Sequence, residues 1–216
     1  MAVAMGESKI QNSKSKTTAF GGLVLAGGQS TRMGRPKATL PFGPELMLQR
    51  VVRLLSSVVR PIVVVRAPDH ELPLLPADVI IACDERPQRG PLEGLSAGLT
   101  AIMPHAGAVY ATSCDVPLLV PAFVQAMIDR LGEADIAVPI EESFAHPLAA
   151  VYRTSVAPHI SDLLAHDQLR PAFLFDRTST RRVPVAELRA VDPDLQTLRN
   201  LNRPEDYIDA LRAAGF

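Results

Sequence analysis

The residues best equipped for chemistry fall in short stretches between apolar runs. The first is Leu25-Ala26-Gly27-Gly28-Gln29-Ser30-Thr31-Arg32-Met33-Gly34-Arg35-Pro36-Lys37. Gly27 and Gly28 allow backbone N–H groups to approach an anion closely, and Ser30 and Thr31 add hydroxyl donors. Arg32 contributes a planar fork and Lys37 a compact point charge. That set suits a triphosphate. It is neither a P-loop nor a dinucleotide fingerprint, because G-x-x-x-x-G-K-[ST] and G-x-G-x-x-G are both absent. The bland alternative is a Gly-rich surface loop with solvated cations. Composition also singles out Lys37: of 22 Lys and Arg only four are Lys, and Lys9, Lys14 and Lys16 lie in the polar first 19 residues.

Two aspartates follow other apolar runs. Asp84, in Cys83-Asp84-Glu85, offers a carboxylate that could accept from the N–H groups of a base; a turn or helix-cap role is the alternative. Asp115, in Cys114-Asp115-Val116-Pro117, ends a buried run and is well placed to hold Mg²⁺ together with substrate phosphates. Cys114 beside it reads as a small buried residue rather than a nucleophile. His146 opens His146-Pro147-Leu148; the other histidines are scattered without metal-ligand spacing. Residues 198–207 read as a strand running into a helix. Asn202 is then a plausible cap, and Asn200 and Asn202 share one side of the strand. No Ser-His-Asp or Cys-His-Asn arrangement is evident.

The elements that must position these groups alternate. Strands are expected at 22–25, 62–65, 79–82, 108–113, 135–139, 148–152 and 182–185. Helices are expected at 46–59, 92–103, 121–131, 155–165 and 205–214. Such alternation indicates α/β units around a mainly parallel sheet, and the Val- and Ile-rich strands fit burial on both faces. Ligands of such sheets bind outside the carboxyl ends of the strands, where Gly27, Asp84 and Asp115 fall. Gly94 and Gly98 weaken the helix that contains them, so close packing or close ligand approach is expected there.

Composition narrows the function further. The 216 residues suggest one domain, 20–216, after a disordered tail, 1–19. A net charge of −1, few aromatics and no Trp argue against a nucleic-acid binder. The absence of an 18-residue apolar run argues against a membrane span. Two cysteines cannot build a disulfide framework. With no signal or transit pattern in the tail, a cytoplasmic location is expected.

LAGGQSTRMGRPK, GPLEGLSAGL, CDVPLL, HPLAAVY and NLNRPEDY together resemble the molybdenum cofactor guanylyltransferases, and they run from residue 23 to residue 207. The resemblance implies a Rossmann-like three-layer αβα sandwich of the nucleotide-diphospho-sugar transferase type. It also implies a reaction: Mg-GTP and Mo-molybdopterin give molybdopterin guanine dinucleotide and pyrophosphate. By motif, Leu25, Ala26, Gly27, Gly28 and Ser30 would contact the nucleotide, with Gly90 on the same side. Lys37 and Arg32 would act on phosphate, Asp84 would read guanine and Asp115 would hold Mg²⁺. His146, Asn200 and Asn202 would line the molybdopterin side. Hand-over to molybdoenzymes or their chaperones is a further implication. Pro36, Arg66 and Arg203 stand where the family commonly has Asp, Asn and Thr, and the RPK form also occurs in molybdopterin cytidylyltransferases. CMP transfer to molybdopterin, or nucleotide transfer to a sugar phosphate, is therefore the alternative. A non-catalytic nucleotide-binding module is the alternative of a different class.

Overall fold

The computed structural model describes residues 19–27, 36–84, 86 and 89–216. Each apolar run read as a strand before residue 190 forms one. The strands are β1 (Phe20–Leu25), β2 (Pro41–Phe42), β3 (Glu45–Leu46), β4 (Ile62–Arg66), β5 (Ile80–Cys83), β6 (Ala108–Ser113), β7 (Ile136–Glu141), β8 (Phe144–Ala145), β9 (Ala150–Arg153) and β10 (Thr180–Pro184). The helices are α1 (Met47–Ser56), α2 (Pro91–Ile102), α3 (Pro121–Asp129), α4 (Ala157–Ala165), α5 (Ala172–Arg177), α6 (Val185–Leu188) and α7 (Pro204–Ala213).

The main sheet runs in the order β10-β7-β9-β6-β1-β4-β5, with β8 on β7; β2 and β3 form a separate hairpin. All neighbours along that path are parallel except β9, which is antiparallel to both β6 and β7. The sheet is thus mostly parallel, as expected from the alternation. Side chains of successive residues point to opposite faces, and both faces are buried. Val24, Ile62, Val64, Ala108 and Tyr110 join one core with α1 and α3, whereas Leu23, Leu25, Val63, Val65 and Val109 join a second with α2 and α4. Helices on both sides of one sheet make three layers.

Local chemistry explains the helices next to the site. In α1, Met47, Leu48, Val51, Val52 and Leu55 are buried at helical spacing. Pro91 and Pro121 begin α2 and α3 at positions whose N–H has no intrahelical partner. Gly94 and Gly98 are close-packing glycines: a Cβ on Gly94 would lie 2.9 Å from a Leu25 methyl, and one on Gly98 would overlap Leu23. Helix α2 therefore lies tightly on β1. Among the described residues, no helix is long and apolar enough to cross a membrane.

Two expectations fail. Residues 198–202 form no strand: a 3₁₀ turn, Gln196–Leu198, is followed by extended backbone without sheet partners. Nor does Asn202 cap α7. Arg203 is the cap residue, and the Asp206 carboxylate accepts from the N–H groups of Asn202 and Arg203 at 3.1 and 2.9 Å. The acidic side chain in the first turn does the satisfying in place of the asparagine.

Candidate active site

Strand order reverses at β1, which pairs with β4 on one side and β6 on the other. Connections leaving on opposite sides open a crevice at the carboxyl ends of these strands. Leu25 O accepts from Cys114 N–H at 3.0 Å and Ala26 N–H donates to Val65 O at 2.8 Å. These bonds lock the start of the Gly27 turn between the loops after β4 and β6. Gly28, Ser30 and Arg32 lie outside the described residues.

At the crevice, Lys37 donates from Nζ to Asp115 Oδ2 at 2.8 Å and to Asn202 Oδ1 at 3.0 Å. The Lys37 and Asp115 side chains are only 18% and 13% exposed, so water screens this pair less than a surface pair. Ser113 Oγ donates to the other carboxylate oxygen of Asp115 and orients it. Asn202 reaches the cluster because Leu201 N–H donates to Asp115 O at 2.9 Å. The segment before it is pinned as well. Buried Asp192 accepts from Gln196 and Thr197 N–H, both at 2.9 Å, and Thr197 Oγ1 accepts from Val120 N–H at 3.0 Å. The structure thus brings together the sequence candidates Lys37, Asp115 and Asn202, and adds Ser113 and Asp192, which the sequence reading did not single out. Ser113 stands two residues before Asp115 at the strand end, and that spacing was the available clue.

Cys114 is fully enclosed. Burial, and next the Asp115 charge, push its thiol up to about 12, so no thiolate nucleophile forms there at neutral pH.

Asp84 lies on the other flank of the β1 turn. Its N–H donates to Arg66 O at 3.0 Å, and a Cβ on Gly27 would stand 3.7 Å from its Oδ2. Asp84 Oδ1 is buried and has no hydrogen-bond partner among the described residues. Burial raises its carboxyl above the ordinary value, with His70 partly offsetting the effect. A cleft of about 500 Å³, lined by Arg66, His70 and Ile81 among others, opens beside this flank. Arg66 folds back on that loop, donating from Nη1 to the carbonyls of Ala67, Pro68 and His70 at 3.2, 2.5 and 3.2 Å. Gly90, with φ of 76°, precedes α2.

His146 is held at the carboxyl side of β7, its N–H donating to Pro139 O at 2.9 Å. Its Nε2 is buried without a partner among the described residues, and burial pushes the imidazole below its usual value, against Glu141. Asn200 is exposed. No hydrogen bond among the described residues joins His146 or Asn200 to the Lys37 cluster.

The Lys37 ammonium, at the start of a 3₁₀ turn (Lys37–Thr39), and the Asp115 carboxylate, just after β6, meet at the switch point, where ligands of such α/β sheets bind. The sequence matches the MobA-like NTP transferase domain over residues 22–181. The chain belongs to that family and is a nucleotidyltransferase. A relative from Mycobacterium bovis (strain BCG / Pasteur 1173P2), named probable molybdenum cofactor guanylyltransferase, is 35% identical over 178 residues, covering 80% of this chain and 87% of its own. A relative of the same name from Mycobacterium avium (strain 104) is 36% identical over 190 residues, covering 86% and 91%. The crystal structure of molybdopterin-guanine dinucleotide biosynthesis protein A from Archaeoglobus fulgidus has the same fold, with a TM-score of 0.73 at 20% identity, covering 89% of this chain and 97% of that one. Lys37, Asp84, Asp115 and His146 lie inside the matched segment, whereas Asn200 and Asn202 lie beyond it.

Proposed function

We propose that this chain is a molybdenum cofactor guanylyltransferase that transfers GMP from GTP to Mo-molybdopterin and releases pyrophosphate. The observation that carries the reading is the Lys37–Asp115–Asn202 cluster, with the Asp84 carboxylate, whose buried Oδ1 has no partner among the described residues, on the far side of the same glycine turn.

Asp84 supports the choice of base. A carboxylate accepts well from the adjacent N1–H and N2–H₂ donors of guanine. Cytosine presents one amino donor beside an acceptor nitrogen, which the carboxylate repels.

Asp115 fits a divalent cation: it supplies only oxygen donors, and its Oδ2 already accepts a cationic group, the Lys37 ammonium. Asp115, oriented by Ser113, would hold Mg²⁺ with phosphate oxygens of the substrate. When bound, Mg²⁺ neutralises negative charge on the phosphates.

The terminal phosphate of molybdopterin attacks the α-phosphorus of GTP in line; the bond to the β-phosphate oxygen breaks and pyrophosphate leaves. Lys37 turns from Asp115 toward that leaving group and stabilises its charge, assisted by Arg32 and the amides of Gly27 and Gly28. The attacking phosphate is already anionic, so no general base is needed. Catalysis rests on positioning and charge stabilisation. Asn202, His146 and Asn200 form the acceptor side. The cytoplasm, where GTP is at hand, is the compartment this reading implies, with delivery of product to molybdoenzymes or their chaperones.

Pyrophosphate release measured with molybdopterin and Mg²⁺ against GTP, CTP, ATP and UTP tests the proposal. GTP is expected to be the efficient donor. Preference for CTP would make the chain a cytidylyltransferase, and nucleotide binding without any release would make it a non-catalytic module.

A further inference from the structure

Lys37, Asp115 and Asn202 come from three distant segments, yet each stands next to an apolar side chain of one small cluster. Leu40, three residues after Lys37, Leu118, three after Asp115, and Leu201, just before Asn202, are buried together with Phe42, Met47 and Ala210. This cluster is separate from the two cores that flank the sheet. Helix α7 contributes Ala210 and closes it from outside.

Phe216 secures that closure. Its N–H donates to Leu211 O at 3.0 Å, and its ring meets Phe42 edge-on at 5.9 Å between centroids. The Arg50 guanidinium lies 4.9 Å from the Phe42 centroid and 5.8 Å from the Phe216 centroid, within cation–π range of both. Arg50 Nε in turn donates to Pro117 O at 2.7 Å, two residues past Asp115. Gly43, with φ of 62°, lies so close to the Phe216 ring that a Cβ would overlap it. Tyr207 adds a tie from α7, its hydroxyl donating to Pro41 O.

We propose that Phe216 is a positioning residue for the reaction centre. By clamping α7 and Arg50 against Phe42, it sets the spacing of Lys37, Asp115 and Asn202. The proposal rests on the reading that this trio carries the transfer. A clamp that only covers apolar surface would change stability and nothing else.

The test compares Phe216→Ala and Phe216→Tyr with the wild type. It reads two things: amide hydrogen exchange at Leu201, whose N–H donates to Asp115 O, and kcat and KM for GTP in pyrophosphate release. In Phe216→Ala, Leu201 exchange is expected to accelerate about tenfold while Ala26, bonded within the main sheet, keeps its rate. The kcat is expected to fall about tenfold with KM for GTP unchanged, the scale of a displacement well under 1 Å at the chemistry. Phe216→Tyr restores both, and Phe173→Ala, which removes an exposed aromatic from α5, changes neither. Unchanged Leu201 exchange overturns the proposal, as does faster exchange with an unchanged kcat. If Ala26 exchange also rises, so that the fold as a whole has loosened, Gly43→Ala displaces the ring from its other side and decides by the same two readouts. If the wild type releases no pyrophosphate, the functional reading fails, and Leu201 exchange still decides whether Phe216 holds the cluster.

Discussion

Replacing Lys37 by arginine keeps the charge and changes its shape. Asp115 Oδ2 and Asn202 Oδ1 converge on a single nitrogen at 2.8 and 3.0 Å. At the 2.8 Å separation of the ion pair, with an effective dielectric of about 20, the bare attraction is about 6 kcal/mol. Desolvating two side chains that are 18% and 13% exposed offsets most of it, and a charged hydrogen bond retains about 1.5–3 kcal/mol net. Lys37→Met loses that contribution and leaves the carboxylate unpaired. Its melting midpoint should fall by roughly 3–12 °C, from about 2–4 °C per kcal/mol for a chain of this size. Lys37→Arg retains a cation beside Asp115, so its midpoint should stay near wild type. Its turnover should nevertheless fall about 10²-fold, the scale of losing one preorganised charge stabiliser, because a planar fork spreads charge away from the point where the leaving group needs it. Thermal melts and steady-state pyrophosphate release separate the two effects. An arginine variant as active as the wild type would refute the reasoning, because a compact ammonium would then have no special role at this position.

Further outcomes follow from the same structure. Asp115→Asn keeps the shape but removes the anionic ligand; pyrophosphate release should drop about 10²-fold or more, and raising the Mg²⁺ concentration should recover only part of it. Burial raises the Asp84 carboxyl, so the folded protein binds that proton more tightly than the unfolded chain. Asp84 therefore subtracts stability as pH rises through its folded value, and Asp84→Asn should raise the melting midpoint at pH 7 in the absence of ligand. The same variant should lose about 10–100-fold in preference for GTP over CTP, the range of one bidentate base contact, and wild-type GTP affinity should weaken at higher pH on acidification than an ordinary aspartate would allow. Gly98→Ala puts a methyl into the Leu23 side chain at the α2–β1 contact and should cost about 1–3 kcal/mol in a denaturant titration.

What the sequence disclosed depended on how local its cause was. The apolar strands β1, β4 and β6 were legible because burial on both faces leaves nearly unbroken Val, Ile, Leu and Ala runs. Asp84 and Asp115 were legible as strand-end carboxylates, and the switch-point rule put Asp115 near the glycine turn and Lys37. The route of residues 192–202 was not legible. It is set by Asp192, by Thr197 bonding to Val120, and by Leu201 bonding to Asp115, contacts between segments far apart in the chain. The asparagines there resembled a strand face and a cap, while Asp206 took the capping role. Helix α5 escaped notice because six residues carry too little periodicity to read.

The bond between Lys37 and Asn202 spans 165 residues. During synthesis at about 5–20 residues per second, Lys37 emerges some 10–30 s before its asparagine exists. Throughout that interval the glycine turn and the lysine have been made while the trio stays incomplete. A chain halted before Asn202 therefore lacks the complete trio.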